Sequence, residues 1–487
     1  MDTISSYNRR YSLIGYILLL LLLLPPLALL ILNGYEAIPS LVTDIGFLKQ
    51  TGLVMATAAT CTLAALIVAL PGIVIYSRCR TSVRNLLRVL LAFGFCFPPL
   101  VMNMGFDCLF SEGGFIKHLE LDPAIRSGVI SLMLNIPVFI VMVGEHWRLL
   151  GPEDAQSARS LGSSRLRIFL RITLPKIMPA LAGSVALVFL RNMVGIKNEI
   201  IALIPAIIVL IVLVVSDGKR SRTELASVSP GSCFSLRNAF TAFLSFIYMT
   251  AAVVMLLGPA VALALRSILA GGEISFKVYT TLFSVLNLDF LVGLAFCVGS
   301  ALVAALISSF ISLHICVGIA SEDSGIFLVM FPLAAGPAAL ALGFRALFMW
   351  IPETVVTRMV LATVCFTVLM IPVQTMVMLP SLRRVPQTLR STSMSLGFSN
   401  GRSFRRIELR LIGADIRSAI CTSIALGISG YGAAESFGLN TVFAQTVRFW
   451  DKGDTQTACA MATVMLVLCF IFFTLGVGHT REVNRYV

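Results

Sequence analysis

The chain alternates long apolar runs with short polar connections. Runs recur over roughly 12–32, 51–76, 86–106, 127–144, 177–195, 200–216, 240–265, 290–314, 326–348, 358–379, 416–433 and 456–478. Each is near the ~20 residues with which an α-helix crosses about 30 Å of hydrocarbon, all its backbone amides paired within the segment. The pattern predicts an all-α polytopic membrane protein of about twelve transmembrane helices. The fifth and sixth runs are the shortest, separated only by "RNMVGIKNE".

The connections alternate in charge. Arg9 and Arg10 precede the first run, and Arg78, Arg80, Arg84 and Arg88 lie between or within the second and third. Arg148, Arg159, Arg165, Arg167, Arg171 and Lys176 follow the fourth, Lys219, Arg220, Arg222 and Arg237 the sixth, and a set from Arg383 to Arg417 the tenth. The intervening connections hold few bases and carry Glu36, Asp44, Glu112, Glu120 and Asp122. Because basic loops stay on the cytoplasmic side, the pattern places these loops and both termini there. Residues 315–325 depart from it, with Glu322 and Asp323 and no base.

Short matches recur in order at a nearly constant spacing of about 235–240 residues. "AALI" stands at Ala64–Ile67 and Ala304–Ile307, "MGFDCLF" at Met104–Phe110 faces "LGFRALF" at Leu342–Phe348, and "IPV" stands at Ile136–Val138 and Ile371–Val373. The expectation is two homologous halves, 1–216 and 238–487, joined by a Ser-rich cytoplasmic linker at 217–237. Six spans per half return the chain to the cytoplasm, so the copies are parallel and a cargo path would run between them.

Composition fits this reading. Of 487 residues 57% are hydrophobic and only 13% charged, with a mean hydropathy of +0.93, whereas soluble domains are about 25% charged. The net charge of +13 lies in alternate loops, which points away from nucleic acid. Most of the eleven cysteines fall in apolar runs, as small packing residues do. The first run, preceded by two arginines, is longer than the about 7–15 residues of a signal peptide's apolar region, and no A-x-A site follows. It is expected to be a retained span.

One loop differs from the rest. "EDAQSARSLGSSRLRIFLRITLPKIMPAL" predicts a helix from about Pro152 to Leu161, a turn at Gly162, and a second helix capped by Ser163 or Ser164. The second helix would place Leu166, Phe169, Leu170 and Leu174 on a buried side and arginines on the other, with Pro175 ending it. "RVPQTLRSTSMSLGFSNGRSFRRIELRL" repeats the design: Gly162 pairs with Gly397, Phe169 with Phe404, Arg171 with Arg406, Ile172 with Ile407 and Leu174 with Leu409.

A glycine followed ten residues later by I-x-L-P resembles the EAA loop, E-A-A-x3-G-x9-I-x-L-P, of binding-protein-dependent ABC importer permeases. Gln156, Ser157 and Ala158 stand at the E-A-A positions, followed in register by Gly162, Ile172, Leu174 and Pro175. In the second copy Ser391, Thr392 and Ser393 replace E-A-A, Gly397, Ile407 and Leu409 match, and Arg410 replaces the proline. Two fused permease repeats, with the glycine-rich "ALGISGYGAAESFG" at Ala425–Gly438, are most similar to the thiamine and iron(III) importer permeases. The resemblance implies the type I importer permease fold and an inner-membrane permease whose loops couple to two copies of a separate ATPase. It also implies a periplasmic or lipid-anchored binding protein, and thiamine or ferric iron as cargo.

No G-x4-G-K-[ST], H-E-x-x-H or C-x-x-C occurs, and His118, His146, His314 and His479 are scattered. No catalytic activity, cofactor or metal is expected of this chain. Asp107 and Arg345 occupy equivalent positions in the halves, and a mutual pair at the outer mouth of the path competes with simple solvation at the headgroups. Gly427, Gly430 and Gly432 are pathway candidates if they unwind the eleventh span, and packing residues if they do not. An ion-coupled transporter would need mid-span carboxylates, and a lipid-modifying enzyme a polar interfacial cluster; the sequence offers neither.

Overall fold

The computed structural model describes residues 2–34, 43–79, 81–94, 97–110, 114–115, 122–149, 153–192, 239–270, 273–284, 287–322, 326–383, 385 and 387–477. The predicted sixth span, 200–216, and the linker 217–237 lie outside them. The first repeat contributes α1 (Asp2–Gly34), α2 (Ile45–Arg78), α3 (Thr81–Phe93), α4 (Pro99–Phe110), α5 (Pro123–Leu149), α6 (Glu153–Ser160), α7 (Arg165–Ile168), a π-helical turn (Phe169–Thr173) and α8 (Leu174–Asn192). The second contributes α9 (Ala239–Ile268), a small hairpin of β1 (Leu269–Ala270) and β2 (Glu273–Ile274), and α10 (Lys277–Leu282). There follow α11 (Leu288–Glu322), α12 (Ile326–Ala335), α13 (Pro337–Leu347), α14 (Val355–Arg383), α15 (Gln387–Ser395) and α16 (Asn400–Ser403). A second π turn (Phe404–Glu408) leads to α17 (Leu409–Ile428), α18 (Tyr431–Ser436), α19 (Val442–Asp451) and α20 (Thr455–Val477).

Among the described residues seven helices are long and apolar enough to cross a membrane, or eight if the pair Leu166–Met178 and Ala180–Phe189, bent by 56°, is one span. The about twelve spans expected from hydropathy do not all appear as single long helices among the described residues. The third and ninth runs, 86–106 and 326–348, are each broken into two short helices. The first break holds Pro98 and Pro99, which lack amide hydrogens for a continuous ladder. The second holds Gly336 at φ 80 followed by Pro337 at the start of α13. Hydropathy stays high across both breaks, so length alone joined what the backbone separates. α3 is also no span: Arg84 and Arg88 make it two-sided.

Packing groups the chain differently from the expected division at 217–237. One compact unit is Leu41–Leu263; the other is Met1–Ser40 with Ala264–Val487. α1 thus falls in the unit of the later residues, and most of α9 in the unit of the earlier ones.

In the unit holding the second repeat, α1 lies along α11 and α13. Gly15 sits so close to α11 that a Cβ there would be 2.8 Å from Ile315 Cγ1 and 2.9 Å from its backbone nitrogen. Leu19 enters a buried cluster with Ile315, Ile371 and Ile412. A Cβ on Gly343 would meet the Pro26 carbonyl oxygen at 2.5 Å and Pro26 Cβ at 3.0 Å.

The Leu41–Leu263 unit repeats the arrangement with α9. Met249 joins Tyr76, Phe139 and Ile140 in the core, and the Tyr248 hydroxyl donates to the Val68 carbonyl at 2.5 Å. A Cβ on Gly105 would lie 2.5 Å from the Pro259 carbonyl oxygen and 2.7 Å from Pro259 Cβ. Gly105 and Gly343 stand 238 residues apart, at the spacing of MGFDCLF and LGFRALF, and Pro26 and Pro259 stand 233 apart. In each unit a glycine packs against a proline inside a long helix.

Candidate functional site

The two arginine-bearing elbows share their local geometry. Gly162 has φ 77 and Gly397 φ 81, a region that side chains with a Cβ rarely adopt. The glycine closes the preceding helix in a Schellman motif. Gly162 N–H donates to Arg159 O at 2.9 Å and Ser163 N–H to Ala158 O at 3.0 Å. In the twin, Gly397 N–H donates to Met394 O at 2.9 Å and Phe398 N–H to Ser393 O at 3.1 Å. Ser164, one of the two predicted caps, accepts from Arg167 N–H at 3.4 Å.

Nothing lies within 4 Å of a Cβ built on either glycine, so only backbone strain opposes substitution. Gly162→Ala and Gly397→Ala are each expected to cost about 1–2 kcal/mol at the elbow. Asn in the same places should cost less, because it tolerates positive φ. Protease cleavage at the elbow in open membrane vesicles measures this, with Ala variants cut faster than Asn variants.

Both elbows continue through a five-residue π turn, Phe169–Thr173 and Phe404–Glu408, into the next long helix. Leu174 N–H reaches back to Phe169 O, and Leu409 N–H to Phe404 O. This wider turn overturns two expectations. Pro175 does not end the helix; it lies in the first turn of α8. Leu166 and Leu170 do not face inward, being 68% and 50% exposed. Ile168, 6% exposed, is the inward residue, and the Phe169 ring stands 5.8 Å from that of Trp147. Ser403, Phe404 and Glu408 are the corresponding buried positions in the twin. Ile172, Leu174, Ile407 and Leu409 are half-buried between these faces. A regular wheel misassigns the face because the turn angle per residue changes at the π segment.

The positions matching E-A-A differ in exposure. Gln156, Ser157, Ser391 and Thr392 are exposed and Ala158 is half-buried. Ser393 is only 2% exposed, its Oγ 2.6 Å from Ser403 Oγ. Among the large hydrophobic residues of the elbows the most exposed are Leu161 and Leu396, at 84% and 73%, each just before its glycine. Arg167, Arg171, Arg405 and Arg406 are also exposed, and the Arg406 guanidinium lies 5.8 Å from the Phe398 ring centre. Each elbow therefore presents an exposed leucine just before its glycine, together with exposed arginines.

Asp107 and Arg345 each have a partner within their own unit. Asp107 pairs with Arg126 at 2.6 Å in one unit. Arg345 makes a two-pronged pair with Glu353 in the other, at 2.9 and 3.3 Å. With side chains 52% and 56% exposed, the second pair is well solvated. Arg345→Ala is expected to change stability by under about 1 kcal/mol; a thermal unfolding scan of the purified chain checks it.

Gly427 lies within α17, where an added Cβ would strike Met370 Cε and Ala301 Cβ, so it serves close packing. Gly430 stands in the break after Ile428, at φ −75 and ψ 66, and Gly432 falls in α18. A cavity of ≈ 10 Å³, about one water in size, is lined there by Ser300, Phe366, Gly427, Gly430 and Thr441. Sequence reading passed over Asn135 and Asn192, single amides at the end of or inside apolar runs. That isolation is itself the signal.

Residues 62–197, which include α8 and the first elbow, match the family described as "Binding-protein-dependent transport system inner membrane component". Over 126 residues the chain is 32% identical to the sulfate transport system permease protein CysT of Salmonella typhimurium, across 24% of this chain and 46% of that protein. It is 31% identical to the protein of the same name from Escherichia coli over the same shares. The chain thus spans about half the length of the curated relatives it matches. No solved structure matches. The EAA resemblance at Gly162, Ile172, Leu174 and Pro175 and the transport-family match fall on the same stretch of chain.

Proposed function

We propose that this chain is the inner-membrane permease of an ATP-driven importer, made of two fused repeats with both termini in the cytoplasm. The observation that carries the reading is the twinned elbow: a positive-φ glycine, an exposed leucine and a π turn at equivalent places in both halves. Two such handles suit two copies of a separate ATPase, one per repeat. A binding protein would deliver the cargo from the outer side. Sulfate is the first cargo to test, because the matching relatives are named for it. Thiamine and ferric iron follow from the EAA-loop resemblance and the fused arrangement.

Purification of the tagged chain from native membranes is expected to bring an ATPase with it. Proteoliposomes of that complex and its binding protein should then take up labelled sulfate, thiamine or ferric citrate only with ATP. Uptake that persists without ATP and collapses with an uncoupler would make this an ion-coupled transporter instead.

A further inference from the structure

Inside the Leu41–Leu263 unit, three helices meet at polar side chains within the apolar zone. Asn135 Nδ2, on α5, donates to Asn192 Oδ1 on α8 at 2.8 Å and to Ser131 Oγ at 3.2 Å. Ser131 Oγ donates to Asn192 Oδ1 at 2.9 Å, and Asn192 Nδ2 donates to Thr62 Oγ1 on α2 at 3.2 Å. Asn135 is 1% exposed, yet its Oδ1 is buried without a hydrogen-bond partner. A buried amide with an unmet pole is costly in any protein interior and more so at membrane depth.

The second repeat shows that the fold does not require this cluster. At the spacing that pairs Gly162 with Gly397, Ser131 corresponds to Phe366, Asn135 to Met370, Arg191 to Leu426 and Asn192 to Gly427. There the equivalent helices meet through Met370, Ala301 and Gly427, a close apolar contact. One half packs this crossing with hydrocarbon and the other with amides and hydroxyls, so packing does not account for the amides.

Charge narrows what the cluster would take. Arg191, next to Asn192, donates from Nη2 to the Phe97 carbonyl at 3.2 Å and carries a guanidinium charge. Asp107, the carboxylate on α4, is tied to Arg126, nine residues before Asn135 and so about 13 Å along α5. The two amides can turn over together and keep their mutual bond, which presents an N–H of Asn135 in place of its oxygen.

We infer that Thr62, Ser131, Asn135 and Asn192 form a cargo-contacting site within the first repeat alone, for an anionic, oxygen-rich solute beside the positive charge of Arg191. This rests on the importer reading and names the residues that sense its cargo.

The test transplants the second half's solution. In proteoliposomes with the ATPase and binding protein, N135M/N192G is compared with wild type for ATPase co-purification and for the KM of labelled sulfate uptake. The expected result is normal co-purification with KM raised at least about tenfold. Uptake within about twofold of wild type overturns the inference. If this variant does not accumulate, T62V/S131A decides: raised KM with normal assembly supports the site, whereas unchanged KM or failed assembly makes the cluster a packing element. Wild-type uptake of thiamine or ferric citrate but not sulfate overturns the anionic assignment and leaves ATP-driven import standing. Absence of ATP-driven uptake of all three removes the importer reading and this site with it.

Discussion

Leu161→Asp and Leu396→Asp, made together, are expected to abolish ATP-driven uptake while leaving the fold intact. Both leucines are bare, 84% and 73% exposed, at the last position before a positive-φ glycine. Nothing within the chain is lost by changing them, so unfolding should move by less than about 0.5 kcal/mol. Seated in an apolar cleft of a partner, each leucine would contribute about 2 kcal/mol by burial. An aspartate there adds the cost of desolvating a charge, so each elbow's grip should weaken by at least about 3 kcal/mol, more than a hundredfold. ATPase recovered with the tagged chain and uptake into vesicles measure this. Wild-type values for the double variant would show that the leucines touch no partner.

A second large effect is expected where a glycine packs against a proline inside a long helix. Gly105→Val and Gly343→Val should each prevent the chain from accumulating in the membrane. An added Cβ would stand 2.5 Å from a proline carbonyl oxygen in either case. That oxygen belongs to a helix backbone and cannot rotate away as a side chain would. Overpacking of a closed contact costs about 1–3 kcal/mol, a large part of a marginal stability. Gly183→Ala is the control, since nothing lies within 4 Å of its Cβ. It should be neutral or slightly stabilising, by up to about 1 kcal/mol. Membrane levels of the three variants by immunoblot separate the cases; equal levels for all would mean the proline seats bear no load.

Much of this was legible in the sequence where the cause is local. Apolar length gave most of the long helices, and the glycine of each elbow announced its turn because only glycine adopts that backbone cheaply. Other features arise from relations the local pattern does not carry. The placing of α1 and most of α9 in these units is a long-range fact, although Leu23–Pro26 and Leu256–Pro259 share Leu-Leu-x-Pro, an unused trace of it. Averaged hydropathy ran through Pro98–Pro99 and Gly336–Pro337 and hid two breaks that those residues spell out. The inward face of the elbow was misread because a π turn has no hydrophobic signature. Asp107 and Arg345 were candidates for each other because they match at the spacing of the repeated stretches; each has a partner within its own unit, Arg126 for Asp107 and Glu353 for Arg345, which no local pattern announces. Asn135 escaped because one amide barely lowers the average of an apolar run.

The central claim is that the paired elbows are gripped by a separate ATPase. Ala158 is a weak probe and Ser393 a poor one, being 2% exposed and bonded to Ser403. Ser157 and Thr392 are exposed on the same helices. Single cysteines there, in inside-out native vesicles, test the claim most directly. The account predicts that both cross-link to a nucleotide-hydrolysing chain and that the yield changes when ATP is bound. Cysteines that react freely with a soluble thiol reagent yet capture no such chain at either position would contradict it.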